Sequence, residues 1–237
     1  MTAIRSIIFN IYFPLWTVFL AIISTPFHFA PQRIASRVGH VWSTGIMIGL
    51  RFICGIKYEI SGKENLPEEP YVIACKHQSA WDTAIFLKLI DGPAYILKKS
   101  LMSYPFFGRY LKTMCMIPVD RDGGSAALKQ LQKDVNDRLE KKRCVVIFPE
   151  GTRTSPGERV KYQPGIALIY KDLPKDVPVV PVALNSGCFW GRNSFLKTPG
   201  TIQMHYLKPI YPGLNRKEFI KQLEDSIETK STDLIAG

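Results

Sequence analysis

The hydrophobic pattern divides the chain into two regimes. From Ser6 to Gln32 there is no Asp, Glu, Lys or Arg, and the run includes Ile7, Ile8, Phe9, Ile11, Leu15, Trp16, Val18, Phe19, Leu20, Ile22 and Ile23. These 27 residues exceed the roughly 20 that a helix needs to cross a bilayer. Pro14 interrupts the run, Pro26 ends it, and Tyr12 and Trp16 favour the membrane interface, so a tilted or half-inserted helix stands beside a full span. A signal peptide is a third reading, kept open by Ile22-Ile23-Ser24-Thr25 although a small-residue cleavage pattern is lacking. A second apolar stretch from Ala35 to Leu50 places Val38, Val41, Trp42, Ile46, Met47 and Leu50 near helical spacing, and it is too short to span.

Downstream the pattern alternates between short apolar runs and amphipathic ones. Strands are predicted at Tyr71 to Cys75, Ala94 to Leu97, Met114 to Val119, Cys144 to Phe148, Val179 to Leu184 and Thr201 to Leu207, with a turn at Pro105-Phe106-Phe107-Gly108. A helix is predicted over Ala80 to Leu89. Another begins after Gly123-Gly124-Ser125, with Leu128, Leu131, Val135 and Leu139 inward and Lys129, Lys133, Asp137 and Lys141 outward. Strands separated by helices imply an α/β fold with a largely parallel or mixed sheet and active loops at strand carboxyl ends.

Charge sharpens this picture. The net charge of +11 is uneven: residues 1 to 58 carry Arg5, Arg33, Arg37, Arg51 and Lys57 with no acid, and residues 141 to 216 carry twelve basic against four acidic side chains. No nucleic-acid-binding motif appears, and the basic residues are interleaved with apolar runs, which fits an anionic lipid surface better than a nucleic acid. Cys54, Cys75, Cys115, Cys144 and Cys188 are odd in number, widely spaced and without a Cys-x-x-Cys pair, so they read as reduced thiols of a cytosol-facing protein. His28, His40, His77 and His205 are scattered without metal-ligand spacing.

Two strand ends carry candidate chemistry. His77-Gln78-Ser79-Ala80-Trp81-Asp82 follows the first strand, and Phe148-Pro149-Glu150-Gly151-Thr152-Arg153 follows the fourth. Residues five apart on one helix sit about 140° apart, so His77 and Asp82 meet only if His77 precedes the helix. With Ser79 as cap, Asp82 in the first turn folds back onto one imidazole nitrogen and leaves the other as a base. The alternative is a strand-end polar residue beside an aspartate that serves the helix dipole. Arg153, with Arg121 beyond the third strand, suits a phosphate monoester because a guanidinium fork matches its oxygens, and Gly151 lets backbone amides approach. For Arg121 a salt bridge with Asp120 or Asp122 is an equal alternative. Glu150 is expected to orient Arg153 or a substrate hydroxyl.

His77-x4-Asp82, then Ile117-Pro118-Val119-Asp120-Arg121, Phe148 to Arg153 and Val177 to Leu184, resemble in order and separation the motifs of the 1-acylglycerol-3-phosphate acyltransferases of the PlsC type. The resemblance spans about residues 60 to 212. Lys76 stands where many members have asparagine, Ser100 where an acidic residue is common, and Met114-Cys115 where a glycine often precedes the second block. The resemblance implies the glycerolipid acyltransferase fold, a two-helix membrane anchor over residues 1–57 and a catalytic domain over 58–237, on the cytoplasmic face of the inner (plasma) membrane. It implies transfer of an acyl group from acyl-CoA or acyl-carrier protein to the 2-hydroxyl of lysophosphatidic acid, with His77 as base and Asp82 as its orienting partner. Lys98 (with adjacent Lys99 as the alternative match, and a solvated surface charge as the other reading), Arg121, Glu150, Gly151, Thr152 and Arg153 would bind substrate, with no metal or further cofactor required. Direct transfer is expected, since no Gly-x-Ser-x-Gly elbow exists and Ser79 is used as a cap. Two other functions remain open: an acyltransferase for another acceptor, such as glycerol 3-phosphate or another lyso-lipid, and a non-catalytic membrane lipid-binding protein.

Overall fold

A computed structural model of the chain describes residues 1–26, 31–105, 107–120 and 123–236; Phe106, Arg121 and His28 lie outside them. Seven strands among the described residues form one sheet: β1 (Ile56–Ser61), β2 (Val72–Cys75), β3 (Ala94–Lys98), β4 (Ile117–Val119), β5 (Val145–Ile147), β6 (Val179–Leu184) and β7 (Gly200–Tyr206). Their order is β1-β7-β6-β2-β5-β3-β4, and every neighbouring pair is parallel except β6 with β7. The expected mixed, largely parallel α/β architecture is therefore present.

The central strands are short and apolar because both of their faces are covered. Ile73, Cys75, Val146 and Val180 point into one core with helices α1 (Thr2–Ile23), α2 (Gln32–Gly49) and α3 (Ala80–Leu89). Their neighbours Val72, Ala74, Val145 and Val179 point into a second core with α5 (Gly124–Glu140), α6 (Pro164–Lys171) and α7 (Arg216–Ala236). The alternation follows from the two-residue period of a strand. α5 buries Leu131, Val135 and Leu139, as its spacing predicts.

The structure corrects the reading around Phe107. That residue opens a helix, α4 (Phe107–Thr113), where a turn was predicted, and the following strand begins only at Ile117 because Cys115 adopts φ +50°. The N-terminal helices are in intimate contact with the rest of the fold. Phe9, Ile46, Leu50 and Cys54 share one core with Trp81, Ile85 and Ile202, and the Ser43 hydroxyl donates to the Ala84 carbonyl of α3 at 2.6 Å.

Candidate active site

β5, β2 and β6 lie side by side and parallel, so their carboxyl ends open on one edge of the sheet. The loop after β2 delivers His77, the loop after β5 delivers Glu150 to Arg153, and the loop after β6 delivers Ser186 and Arg192. Sheet order thus assembles the site from three loops that are far apart along the chain.

His77 precedes α3, and Ser79 caps it. The Ser79 hydroxyl accepts from the Trp81 N–H at 3.1 Å, and the Asp82 carboxylate accepts from the Ser79 N–H at 2.7 Å and the Gln78 N–H at 2.6 Å. This capping box turns Asp82 back toward the strand end, where its Oδ2 lies 3.0 Å from His77 Nδ1. Ser186 donates its hydroxyl to the other carboxylate oxygen at 2.5 Å. Asp82 is wholly buried, and the His77 ring stacks on Phe148 with centroids 3.9 Å apart. With Nδ1 committed, Nε2 is the nitrogen left for proton transfer.

The cavity beside His77 holds about 330 Å³ and is lined by His77, Thr152, Arg153, Arg192 and Asn193. Arg192 donates to the Arg153 carbonyl at 2.9 Å, joining the two loops at the cavity rim. Asn193 sits at φ +53°, a left-handed conformation that asparagine adopts more readily than most residues.

Glu150 differs from expectation. It is 2 % exposed, and its carboxylate is taken up by the Lys76 ammonium at 2.6 Å, the His77 N–H at 2.7 Å and the Thr154 hydroxyl at 2.9 Å, so it orients neither Arg153 nor a substrate hydroxyl. It braces the His77 backbone instead. Lys76, also buried, reaches Glu228 of α7 at 2.9 Å and the Glu158 carbonyl at 2.9 Å, and Tyr162 donates to Glu228 at 3.0 Å. Burial pushes the Glu150 carboxyl up to about 7, against the opposing pull of Lys76 and the His77 N–H.

Gly151 holds φ +69°, and a Cβ there would meet the Gln163 side chain at 2.9 Å. Its amide closes a turn onto the Phe148 carbonyl at 2.9 Å, so the freedom it confers shapes the loop and does not present that amide to a ligand. Lys98 ends exposed at the tip of β3, two strand positions from β2, and does not line the cavity. Arg121 lies outside the described residues. Asp120, its neighbour, pairs with Lys99 at 3.1 Å. Sequence reasoning missed Ser186, Arg192, Asn193 and Glu228; the Gly191-Arg192-Asn193 turn was the one local signal available.

The family model for acyltransferases matches residues 57–185, from β1 through the end of β6. The chain belongs to the acyltransferase family. Over 154 residues it is 40 % identical to a 1-acyl-sn-glycerol-3-phosphate acyltransferase of Pseudomonas aeruginosa, covering 65 % of this chain and 59 % of that protein. It is 30 % identical over 197 residues to a protein of the same name from Cocos nucifera, covering 82 % and 61 %. The chain therefore spans about three fifths of the length of these two relatives. The crystal structure of the 1-acyl-sn-glycerophosphate acyltransferase PlsC from Thermotoga maritima superposes with a TM-score of 0.77 at 20 % identity, covering 100 % of this chain and 99 % of that one, which shows the shared fold.

Proposed function

We propose that this acyltransferase moves a fatty acyl group from an acyl thioester to the 2-hydroxyl of 1-acylglycerol 3-phosphate, giving phosphatidic acid. The observation that carries the reading is the buried, triply held Asp82 set 3.0 Å from His77 Nδ1 at the edge of a cavity bearing two arginines. The activity named for both relatives supports the same acceptor.

In this mechanism Nε2 of His77 takes the hydroxyl proton as the oxygen attacks the thioester carbonyl. Asp82 stabilises the imidazolium, and the tetrahedral intermediate collapses to release the thiolate, which recovers that proton from Nε2. The base and its partner contribute on the order of 10² to 10⁴ in rate. Arg153 and Arg192 supply cationic forks for the acceptor phosphate. Acyl-CoA or acyl-carrier protein is the donor, and no metal or further cofactor is assigned.

The surface on which this happens is a membrane. α1 is long and apolar enough to cross one, yet its inward face rests on α2 and on the β6–β7 segment, so a half-inserted pose in one leaflet suits it best. Five free cysteines accord with a cytosol-facing side.

His77→Ala is expected to abolish transfer from either thioester while acceptor binding persists, because a general base acts mainly in the transition state. Asp82→Asn should be impaired less completely, since an amide oxygen can still accept from the cap amides. Turnover with labelled acceptors and both donors checks this, and near-normal turnover of His77→Ala would sink the proposal.

A further inference from the structure

The segment between β6 and β7 joins the cavity to the outside of α1. Arg192 and Asn193 line the cavity, whereas Phe195 and Leu196, two and three residues on, stand 57 % and 48 % exposed. Lys197 is buried, and its ammonium donates to Asn10 Oδ1 of α1 at 2.7 Å and to the Ser194 and Phe195 carbonyls at 2.9 and 3.0 Å. Its own N–H reaches the Ser6 hydroxyl at 2.9 Å, and Asn10 donates back to the Phe195 carbonyl at 3.0 Å. Trp190 meets Phe9 and Phe13 edge-on at 5.4 and 5.7 Å.

Ser6, Phe9, Asn10 and Phe13 form the inward stripe of α1, which sends Ile4, Ile8, Ile11 and Leu15 outward, all of them exposed. The exposed tip of the loop is therefore tied to the flank of an exposed apolar stripe. The charge around it is single-signed. Residues 1–58 contain no carboxylate, and neither do residues 177–217, where Arg192, Lys197, Lys208, Arg216 and Lys217 lie. An apolar stripe on an acid-free, basic background matches an anionic lipid surface, where chain-depth apolar contact and headgroup attraction add.

We propose that Phe195 and Leu196 are a lipid-inserting foot of the β6–β7 loop, entering the same leaflet as α1 and holding Arg192 at the cavity rim when the membrane is bound. Entry of the foot into lipid stands on the geometry above; only its catalytic consequence rests on the acyltransferase reading. Phe195→Trp in vesicles of phosphatidylglycerol with bromine-labelled acyl chains reads the first part directly. Quenching of its emission beyond that of the unchanged chain, whose four tryptophans give the background, is the expected result. The double variant Phe195→Ser/Leu196→Ser reads the second. It should lose about ten-fold in kcat/KM on acceptor embedded in those vesicles, yet stay within about two-fold on a short-chain acceptor kept monomeric in solution. No extra quenching, or equal losses on both acceptors, overturns the proposal. If the unchanged chain transfers no acyl group at all, the functional reading fails while the quenching result still decides the foot.

Discussion

Asp82 accepts four hydrogen bonds, and two come from backbone amides that the start of α3 fixes in place. A carboxylate so held cannot swing, so the cap geometry dictates how the His77 ring stands. Among the described residues Arg153 has no comparable brace beyond the Arg192 contact to its carbonyl, which leaves its guanidinium available at the rim. Arg153→Lys keeps the charge but loses the planar pair of donors, so the apparent KM for a phosphate-bearing acceptor should rise about ten- to a hundred-fold, from roughly 1.5 to 3 kcal/mol. The thioester KM should move far less, and steady-state kinetics with each substrate varied in turn would decide it. Glu150 makes a separate prediction. Its folded value near 7 exceeds the ordinary 4.5, so the folded chain binds more protons between those values and stability falls as pH rises through that window. Glu150→Gln should flatten that descent, read as Tm against pH.

At the scale of elements, α7 reaches under the site through Glu228, Lys76 and Glu150, a buried chain of one cation between two carboxylates. Removing the cation leaves two buried acids facing each other, which costs about 3 to 5 kcal/mol, whereas removing Glu228 as well relieves part of that cost. Lys76→Asn should therefore be strongly destabilised and poorly active, Glu228→Gln milder, and the double variant more stable than Lys76→Asn alone. Additive losses in denaturant unfolding would show the chain is not coupled. Why α7 was not legible in the sequence is instructive. Its apolar residues Phe219, Leu223 and Ile227 make a narrow stripe among many charges, although Asn215 and Glu218 form a capping box that marks its start. β1 was not among the strands expected, although Ile56, Tyr58 and Ile60 alternate with Lys57 and Glu59 in the two-residue period of a half-buried strand. α5 was legible by its helical period, and α3, β2 and β6 as short apolar runs bounded by a cap or by polar and proline-containing segments, signals that lie within each element's own stretch of chain. The His77–Asp82 pair was legible for the same reason, being five residues apart. Ser186 and Glu228 lie 104 and 152 residues from their partners Asp82 and Lys76, and only the strand order brings them together.

For the whole molecule, the proposed attachment to a membrane and the stability of the fold rest on the same N-terminal helices. A purely electrostatic contact of a chain with net charge +11 would be screened at 1 M salt, where the Debye length is about 3 Å. The exposed stripe of α1 is insensitive to screening, so the full chain should stay on anionic vesicles through a high-salt wash, as sedimentation would show. Cutting the chain after residue 56 has a different consequence from freeing a soluble domain. Phe9, Ile46, Leu50 and Cys54 are each at most 1 % exposed, and they share a core with Trp81 and Ile85 of α3 and Ile202 of β7. Each such side chain contributes about 1.5 to 3 kcal/mol by burial. Four of them together match the whole net stability of a typical domain, about 5 to 15 kcal/mol. The truncated chain 57–237 should therefore show no cooperative thermal transition and should aggregate, whereas the full chain in detergent should melt sharply. A soluble, monomeric truncation with a Tm within a few degrees of the full chain would mean that residues 1–56 are an appended anchor and not part of the core.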